Sequence, residues 1–307
     1  MPQGIYLPEG YGKTAEGEEL LERAVHTGQR VEGIATMCDE GRNLHVRMGR
    51  EKGISPYAEA GLGAGEGKLR DIAILSRVGK PVCFQVLGKK DGLWQLSRRA
   101  MQEEAQRYLL EYLQPGEIIR ARVTHLEQFG AFVDMGCGLV SMIGVENVSV
   151  SRIRTTAQRF HTGQDIYAVV LRCDRSNGRV WLTHRELLGT WEENAALLQT
   201  GSAVRGIIRG VESYGVFIEL TPNLSGLAES SRELTVGMDT AVFIKSIQKS
   251  RMKIKLSILE AAPGSGIRWI TPEDYYLHEG ILRRWQYQPA CCADHCIETD
   301  FCPAEQF

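Results

Sequence analysis

Phe129 and Phe132, in the stretch QFGAFVDMGCGL (128–139), stand three residues apart with Gly130 and Ala131 between them. Tyr214 and Phe217 repeat the arrangement in SYGVFIELTPNL (213–224). Read as a strand, Gly130-Ala131-Phe132-Val133-Asp134 places Ala131 and Val133 on one face and Phe132 with Asp134 on the other. Small and branched residues suit the interior of a narrow barrel, which turns Phe132 outward beside Phe129. Val216 and Ile218 do the same for Phe217. Paired rings on an outer barrel face offer a stacking surface for single-stranded bases, worth roughly 1–3 kcal/mol per base with little sequence preference. The pattern alone equally fits rings that fill a core. Cations on the same face would meet phosphate. Arg120 and Arg122 share a face of IIRARV, Arg179 opens a strand after the turn at Asp174, and Lys253 and Lys255 lie on the matching strand of the later copy. Each of these also fits an ordinary solvated charge.

The elements that must position these residues are themselves repeated. From Gly116 and Gly201 through Phe129 and Tyr214 the two copies run at a constant offset of 85. Their second halves, 163–186 and 237–260, align at an offset of 74, so the earlier copy carries eleven extra residues in a loop at about 147–162. Loops accept such insertions and strands do not. IIRARVTHL, GAFVD, AVVLRC and RVWLTH are rich in branched and aromatic residues and are separated by Gly or Asn-Gly turns, the mark of short strands. Five strands in about 70 residues fit a small closed barrel that removes its own edges. A weaker third copy spans 27–61 and 78–100, with Gly41 and Leu44 aligned where the aromatic pair would stand. The connectors QEEAQRYLLEYL and ELLGTWEENAALL read as short amphipathic helices.

The expected class is therefore mainly β, with three tandem five-stranded barrels. The expected order is an N-terminal extension (1–27), a degenerate barrel (28–100), a helical linker (101–114), a barrel (115–186), a second helical linker (187–199), a third barrel (200–260) and a Cys-containing tail (261–307). Net charge is −2, yet the positive charge gathers in the three barrel segments while the acids lie between and outside them. That is a modest footprint for a polyanion partner. No apolar run approaches a membrane span, and the first 27 residues carry five glutamates against Lys13 and Arg23, unlike a signal peptide. The eight cysteines form no disulfide framework. These features predict a cytoplasmic protein with no membrane partner.

GEIIRARVTHLEQFGAFVDMG followed by GRVWLTHRE resembles the S-one domain, the OB-fold repeat of the largest bacterial small-subunit ribosomal protein, found also in polynucleotide phosphorylase and other RNA-handling proteins. The resemblance extends over 115–186, 200–260 and part of 28–100, in the manner of short bacterial S-one-like proteins. It implies OB-fold barrels and an RNA surface built from a basic position on the first strand, the two aromatics, and an Asp with a downstream Arg. Phe129, Phe132, Arg122, Asp174 and Arg179 match those positions. The family often adds a histidine after the third strand, where Gly144 and Glu229 stand here. The later copy also has Ile207 and Gln248 in place of Arg122 and Asp174. In the ribosomal protein, degenerate early repeats serve ribosome docking, which the first copy resembles; it equally fits a scaffold barrel that only packs on its neighbour.

The loop SVSRIRTTAQRFHTG brings Arg152, Arg154, Arg159 and His161 beside the middle barrel, either as an extension of a phosphate track or as a solvated loop. The stretch RWITPEDYYLHEGILRRWQYQP reads as a short helix packed on a barrel. No phosphate loop, Gly-x-Ser-x-Gly elbow or His-Glu-x-x-His is present, so neither a catalytic site nor a cofactor is expected. The reading is a non-enzymatic protein that binds single-stranded RNA or mRNA, acting in translation or mRNA handling, with the small ribosomal subunit as a candidate partner. The rivals are a protein-interaction module of a ribosome or decay complex, and a nuclease.

Cys291, Cys292, His295, Cys296 and Cys302 suggest zinc by type, but no Cys-x-x-Cys pair exists, and adjacent residues seldom both reach one tetrahedral ion. No metal is therefore expected. Protein purified without added zinc should carry well under one zinc per chain by elemental analysis, and a strong chelator should leave thermal unfolding unchanged. Near-stoichiometric zinc, lost on Cys296→Ser, would reverse this.

Overall fold

Period-two alternation of inward and outward side chains, interrupted by bulges, shapes the barrel strands of the computed structural model, which describes residues 6–12, 14–230, 233–292 and 296–302. The first barrel is built from β1 (Val31–Cys38), β2 (Leu44–Met48), β3 (Glu51–Ser55), β4 (Pro81–Lys90) and β5 (Leu93–Ser97). The second uses β6 (Ile118–Leu126), β7 (Gly130–Asp134), β8 (Val140–Gly144), β9 (Asp165–Asp174) and β10 (Arg179–Thr183). The third uses β11 (Ala203–Glu212), β12 (Gly215–Thr221), β13 (Leu224–Ala228), β14 (Asp239–Gln248) and β15 (Lys253–Ala262). In each, the third and fifth strands pair in parallel and the other neighbours are antiparallel, which closes the sheet. The fold is thus mainly β with three closed five-stranded barrels and few helices. No described helix is long and apolar enough to cross a membrane.

Among the described residues four α-helices accompany the barrels: α1 (Glu18–Thr27), α2 (Asp71–Leu75), α3 (Arg98–Tyr112) and α4 (Trp191–Ala196). The Ser97 hydroxyl caps α3 by accepting from the Ala100 N–H at 2.9 Å. Thr190 and Glu193 form a reciprocal capping box on α4.

Two extended segments tie the barrels together. Residues 6–12 lie across the first two. Glu9 is buried there and takes Arg98 in a two-pronged ion pair (2.9 and 3.2 Å), with Arg77 at 3.4 Å. Its own N–H donates to Asp134 of β7 at 2.8 Å. Asp134, outward by alternation, is therefore covered rather than solvated. The tail does the corresponding work for the second and third barrels. It is extended, with a single 3-10 turn at Pro272–Asp274, where a short helix was expected. Its N–H groups are taken by partners distant in sequence: Arg268 to Gln158 (2.9 Å), Ile270 to Arg159 (2.8 Å), Tyr276 to Leu187 (2.9 Å) and Leu282 to Gly116 (2.8 Å). A β-carbon on Gly116, whose φ is +83°, would lie 1.8 Å from the Leu282 carbonyl, so the tail's seat requires glycine there. A small hairpin, β16 (Arg284–Gln286) and β17 (Glu298–Asp300), closes the tail.

One apolar core runs through the second and third barrels and the tail, and a separate one fills the first barrel. Within the shared core His184 is fully buried. Its Nδ1–H donates to the Val148 carbonyl at 2.8 Å, and its Nε2 accepts from the Tyr275 hydroxyl at 2.9 Å. Burial holds its pKa down to about 4, with Arg159 pushing the same way and the Val148 carbonyl pulling against both. The unfolded imidazole titrates near the ordinary 6.5. The unfolded chain therefore takes up a proton first as pH falls, and the stability owed to neutral His184 is complete above pH 6.5 and lost on the way down to about 4. We expect this group alone to contribute a loss on the order of 3 kcal/mol across that window. Denaturant titrations at several pH values should show a steeper acid slope for the native chain than for His184→Gln. Equal slopes would place the titrating group elsewhere.

Candidate nucleic-acid interface

The inward face of β7 holds Ala131 and Val133, both fully buried. That packing leaves Phe132 on the outside, beside Phe129, which is 57% exposed at the start of the strand. The two rings meet edge to face at 6.1 Å and 87°. Gly130 between them is a close approach: a β-carbon there would sit 2.9 Å from the Ile143 carbonyl and 3.1 Å from the Met142 sulfur.

Register extends the pair into a row across the barrel. His125 lies opposite Phe132, Phe132 opposite Met142, Met142 beside Trp181, and Trp181 opposite Arg172. The Arg172 guanidinium sits 4.0 Å over the Trp181 ring, a cation–π contact. Among the described residues Arg172 has no acid partner, whereas His125 pairs with Glu127 at 2.8 Å. The motif-based reading missed Trp181, Arg172, Met142 and His125. Alternation from buried Val180 and Leu182 would have turned Trp181 outward, but which strands stand side by side is a matter of barrel closure.

The third barrel repeats the pair with Tyr214 (70% exposed) and Phe217 (37%), again at 6.1 Å and 87°. Its row reads Gly210, Phe217, Leu227, Lys255, Ser246, so an ammonium takes the place of the Trp181 ring. Lys253 lies opposite Gln248 at the hairpin end, and both lysines are exposed. In the first barrel the row is Met37, His45, Ile54, Gln95, Gly88. His45 therefore occupies the Phe132 position, and Leu44 corresponds to buried Ala131. The alignment that set Leu44 against Phe132 is one residue out of register, a slip that flips side chains between faces. The absence of a paired aromatic platform there stands, and His45 is engaged with Asp39 at 3.1 Å.

The structure sorts the expected cations by what holds them. Arg122 is committed. It grips Asp165 with two prongs (2.6 and 3.0 Å), donates to the Glu9 carbonyl at 2.9 Å, and lies 4.7 Å from the Tyr11 ring. Arg120, two residues earlier, is exposed over Tyr167, five residues along β6 from His125 and so on the order of 15 Å from the aromatic row. Asp174 organises its own turn. Its carboxylate accepts from the Ser176 hydroxyl, the Asn177 amide and both backbone N–H groups, which lowers its pKa to about 2. Arg179, opposite Asp174, is exposed on the same face of β10 as Trp181. Of the loop cations, Arg152 and Arg154 are exposed. Arg159 is not part of any surface track: it is fully buried against Glu219 of the third barrel at 2.6 Å. In the tail, Cys291, Cys296 and Cys302 are exposed and Cys292 is buried, while His295 lies outside the described residues. Among the described residues no group of three or more His, Cys, Asp or Glu is placed to hold a metal ion.

Residues 112–185 match the S1 RNA binding domain, the S-one repeat of the sequence reading. The Small ribosomal subunit protein bS1 homolog of Bacillus subtilis is 28% identical over 181 residues, covering 54% of this chain and 47% of that protein. The bS1 protein of Neisseria meningitidis is 28% identical over 284 residues, covering 82% and 48%. The chain spans about half the length of the curated relatives it matches. A multidomain protein with nucleic acid binding domains from Streptococcus pneumoniae overlaps 76% of this chain and 74% of its own, at 14% identity and a TM-score of 0.26, too low to support any conclusion. The chain thus carries an S1 RNA binding domain at 112–185 and is a distant homologue of bS1.

The commitment of Arg122 makes a prediction. Arg122→Ala should lower stability by about 1–2 kcal/mol, since it unpairs Asp165 and frees the 6–12 segment. Its effect on RNA affinity should be smaller than that of Arg172→Ala. Paired denaturation and RNA titrations check the order, and a large affinity loss without destabilisation would contradict it.

Proposed function

We propose that the chain is a non-catalytic, cytoplasmic protein that holds single-stranded RNA on the outer faces of its second and third barrels, acting in translation or mRNA handling. The observation that carries the reading is the exposed edge-to-face pair Phe129/Phe132, continued by Met142 and Trp181 and ended by the unpaired guanidinium of Arg172. Bases stack on such rings whatever their sequence, and the cations at the margin meet phosphate. The second barrel leads in this reading because it combines four outward hydrophobic groups with Arg172 and Arg179. The third offers two rings with Lys253 and Lys255. Asp174 would contribute by fixing the turn that presents Arg179, and Arg120 by a phosphate contact away from the row. Kinship with bS1 supports a role at the small ribosomal subunit.

The first barrel suggests a protein contact instead of RNA. Its α2 and the following turn expose Ile72, Leu75 and Val78, which recur every three residues and share a face. A protein-interaction role for this barrel is compatible with RNA binding by the other two.

Phe129→Ala with Phe132→Ala in the full chain should weaken single-stranded RNA binding by roughly 2–5 kcal/mol and leave cooperative unfolding intact. Tyr214→Ala with Phe217→Ala should cost less. Affinity should fall steeply with salt in both backgrounds. Loss of cooperative unfolding in the first double variant, or equal RNA affinity in all three chains, would overturn the proposal.

A further inference from the structure

The tail creates a second aromatic surface that the barrel pattern does not contain. Between the second barrel and the extended tail lies a cleft of about 690 Å³ whose wall includes Tyr11, Arg120, His161, Tyr167, Trp269 and His278. Trp269 is 50% exposed although its neighbours on both sides are pinned: the Arg268 N–H donates to the Gln158 carbonyl and the Ile270 N–H to the Arg159 carbonyl. Ile270 is buried, so the strap turns the indole outward and holds it there. His161 supports it at 5.0 Å and 64°. Tyr167 is held in the same way, by Tyr275 at 5.3 Å and 80° and by His278 at 5.3 Å and 88°. These steeply tilted contacts hold Trp269 and Tyr167 in the wall of the cleft, with the Arg120 guanidinium 6.0 Å over the Tyr167 ring.

The charge in the cleft favours an anion. Asp165 is its one carboxylate and is already gripped by Arg122, while Arg120 has no acid partner among the described residues. A guanidinium without an acid partner among the described residues, beside the half-exposed Trp269 ring, matches a planar base joined to a phosphate.

The other two barrels provide an internal comparison. Arg120 lies opposite Tyr167. The same register position holds Arg205 opposite Ala241 in the third barrel and Glu32 opposite Cys83 in the first. The combination of cation and ring at this position belongs to the second barrel, and the tail that completes the cleft lies beyond the 112–185 segment matched by the domain family.

We propose that this cleft binds a nucleotide unit, with the base stacked against Trp269 or Tyr167 and the phosphate on Arg120. It deepens the RNA-binding reading and rests on it where the nucleotide is part of a strand. A free mononucleotide has the same chemistry, and the test separates the two sources.

The experiment titrates the full chain with AMP, with UMP and with a mixed-sequence single-stranded RNA oligonucleotide, following tryptophan fluorescence and affinity. It is run on the native chain, Trp269→Ala, Trp269→Phe, Arg120→Ala and the Phe129→Ala/Phe132→Ala chain. Trp269 and Arg120 are exposed, so these variants should unfold as the native chain does. We expect Trp269→Ala to weaken binding roughly tenfold, Trp269→Phe to retain most of the affinity, and Arg120→Ala to reduce the salt slope by about one phosphate contact. Quenching of Trp269 by AMP or UMP identifies a free-nucleotide site, and quenching by the oligonucleotide alone identifies a continuation of the RNA path. Affinities within about twofold of native for both Trp269→Ala and Arg120→Ala would overturn the inference. If the Phe129→Ala/Phe132→Ala chain then still loses RNA binding, the platform reading survives without the cleft. If that chain also binds normally, both fail.

Discussion

On β7 and β12 the barrel interior is filled by small and branched side chains. Ala131, Val133, Val216 and Ile218 fill that space, and each is fully buried. The large rings on the same strands must then go outside, where they either pack against another element or stay exposed. Both outcomes occur here. Phe129 and Tyr214 remain open, while Tyr275, Trp285 and Tyr287 of the tail are spent on joining the second and third barrels. The exposed rings thus follow from what fills the inner faces of these strands.

The barrels are held to one another by buried polar groups as much as by apolar contact. Glu219 is fully buried and accepts from Arg159 at 2.6 Å and Arg209 at 2.5 Å, one cation from the second barrel's loop and one from the third barrel itself. Asn223 makes a neutral counterpart: its amide donates to the Arg185 and Gly189 carbonyls at 2.8 Å each and its oxygen accepts from the Val150 N–H at 2.9 Å. At the other junction Glu9 plays the same part between Arg98 and Arg77. Such buried pairs are poor sources of net stability, because desolvation offsets most of the attraction. Removing one partner is nevertheless expensive, so they penalise any other arrangement of the barrels. That geometry bears on the proposed nucleotide cleft, since its wall of Trp269 and Arg120 is completed by the seated tail.

Much of the fold and the centre of the candidate site were legible in the sequence. The repeat, the five strands per copy, the long loop of the middle copy and the outward turn of Phe132 and Phe217 all depend on local periodicity. A strand's side chains alternate between bulges whatever else surrounds them. The aromatic pair was therefore visible as residue types at a fixed spacing. The first copy shows where this reasoning weakens: its motif has decayed, and without a Phe-Gly-x-Phe anchor the alignment slipped by one residue, placing Leu44 where the pairing puts His45.

What the sequence by itself determined is which side chains each strand presents on each face. What only the tertiary structure decided is which of those side chains remain free. Arg120, Arg122, Arg159 and Arg172 are the same residue type in similar basic stretches, yet their fates differ completely. Arg122 meets Asp165, 43 residues away, and Arg159 meets Glu219, 60 residues away. Arg172 lies over Trp181, and Arg120 faces a cleft completed by the tail. An arginine's availability depends on whether an acid arrives within a few ångströms, because hydrogen bonding acts only at that range and water and salt screen the Coulomb attraction of exposed charges beyond it. Barrel closure and the path of the tail set those arrivals, and neither is written in the periodicity of any one strand.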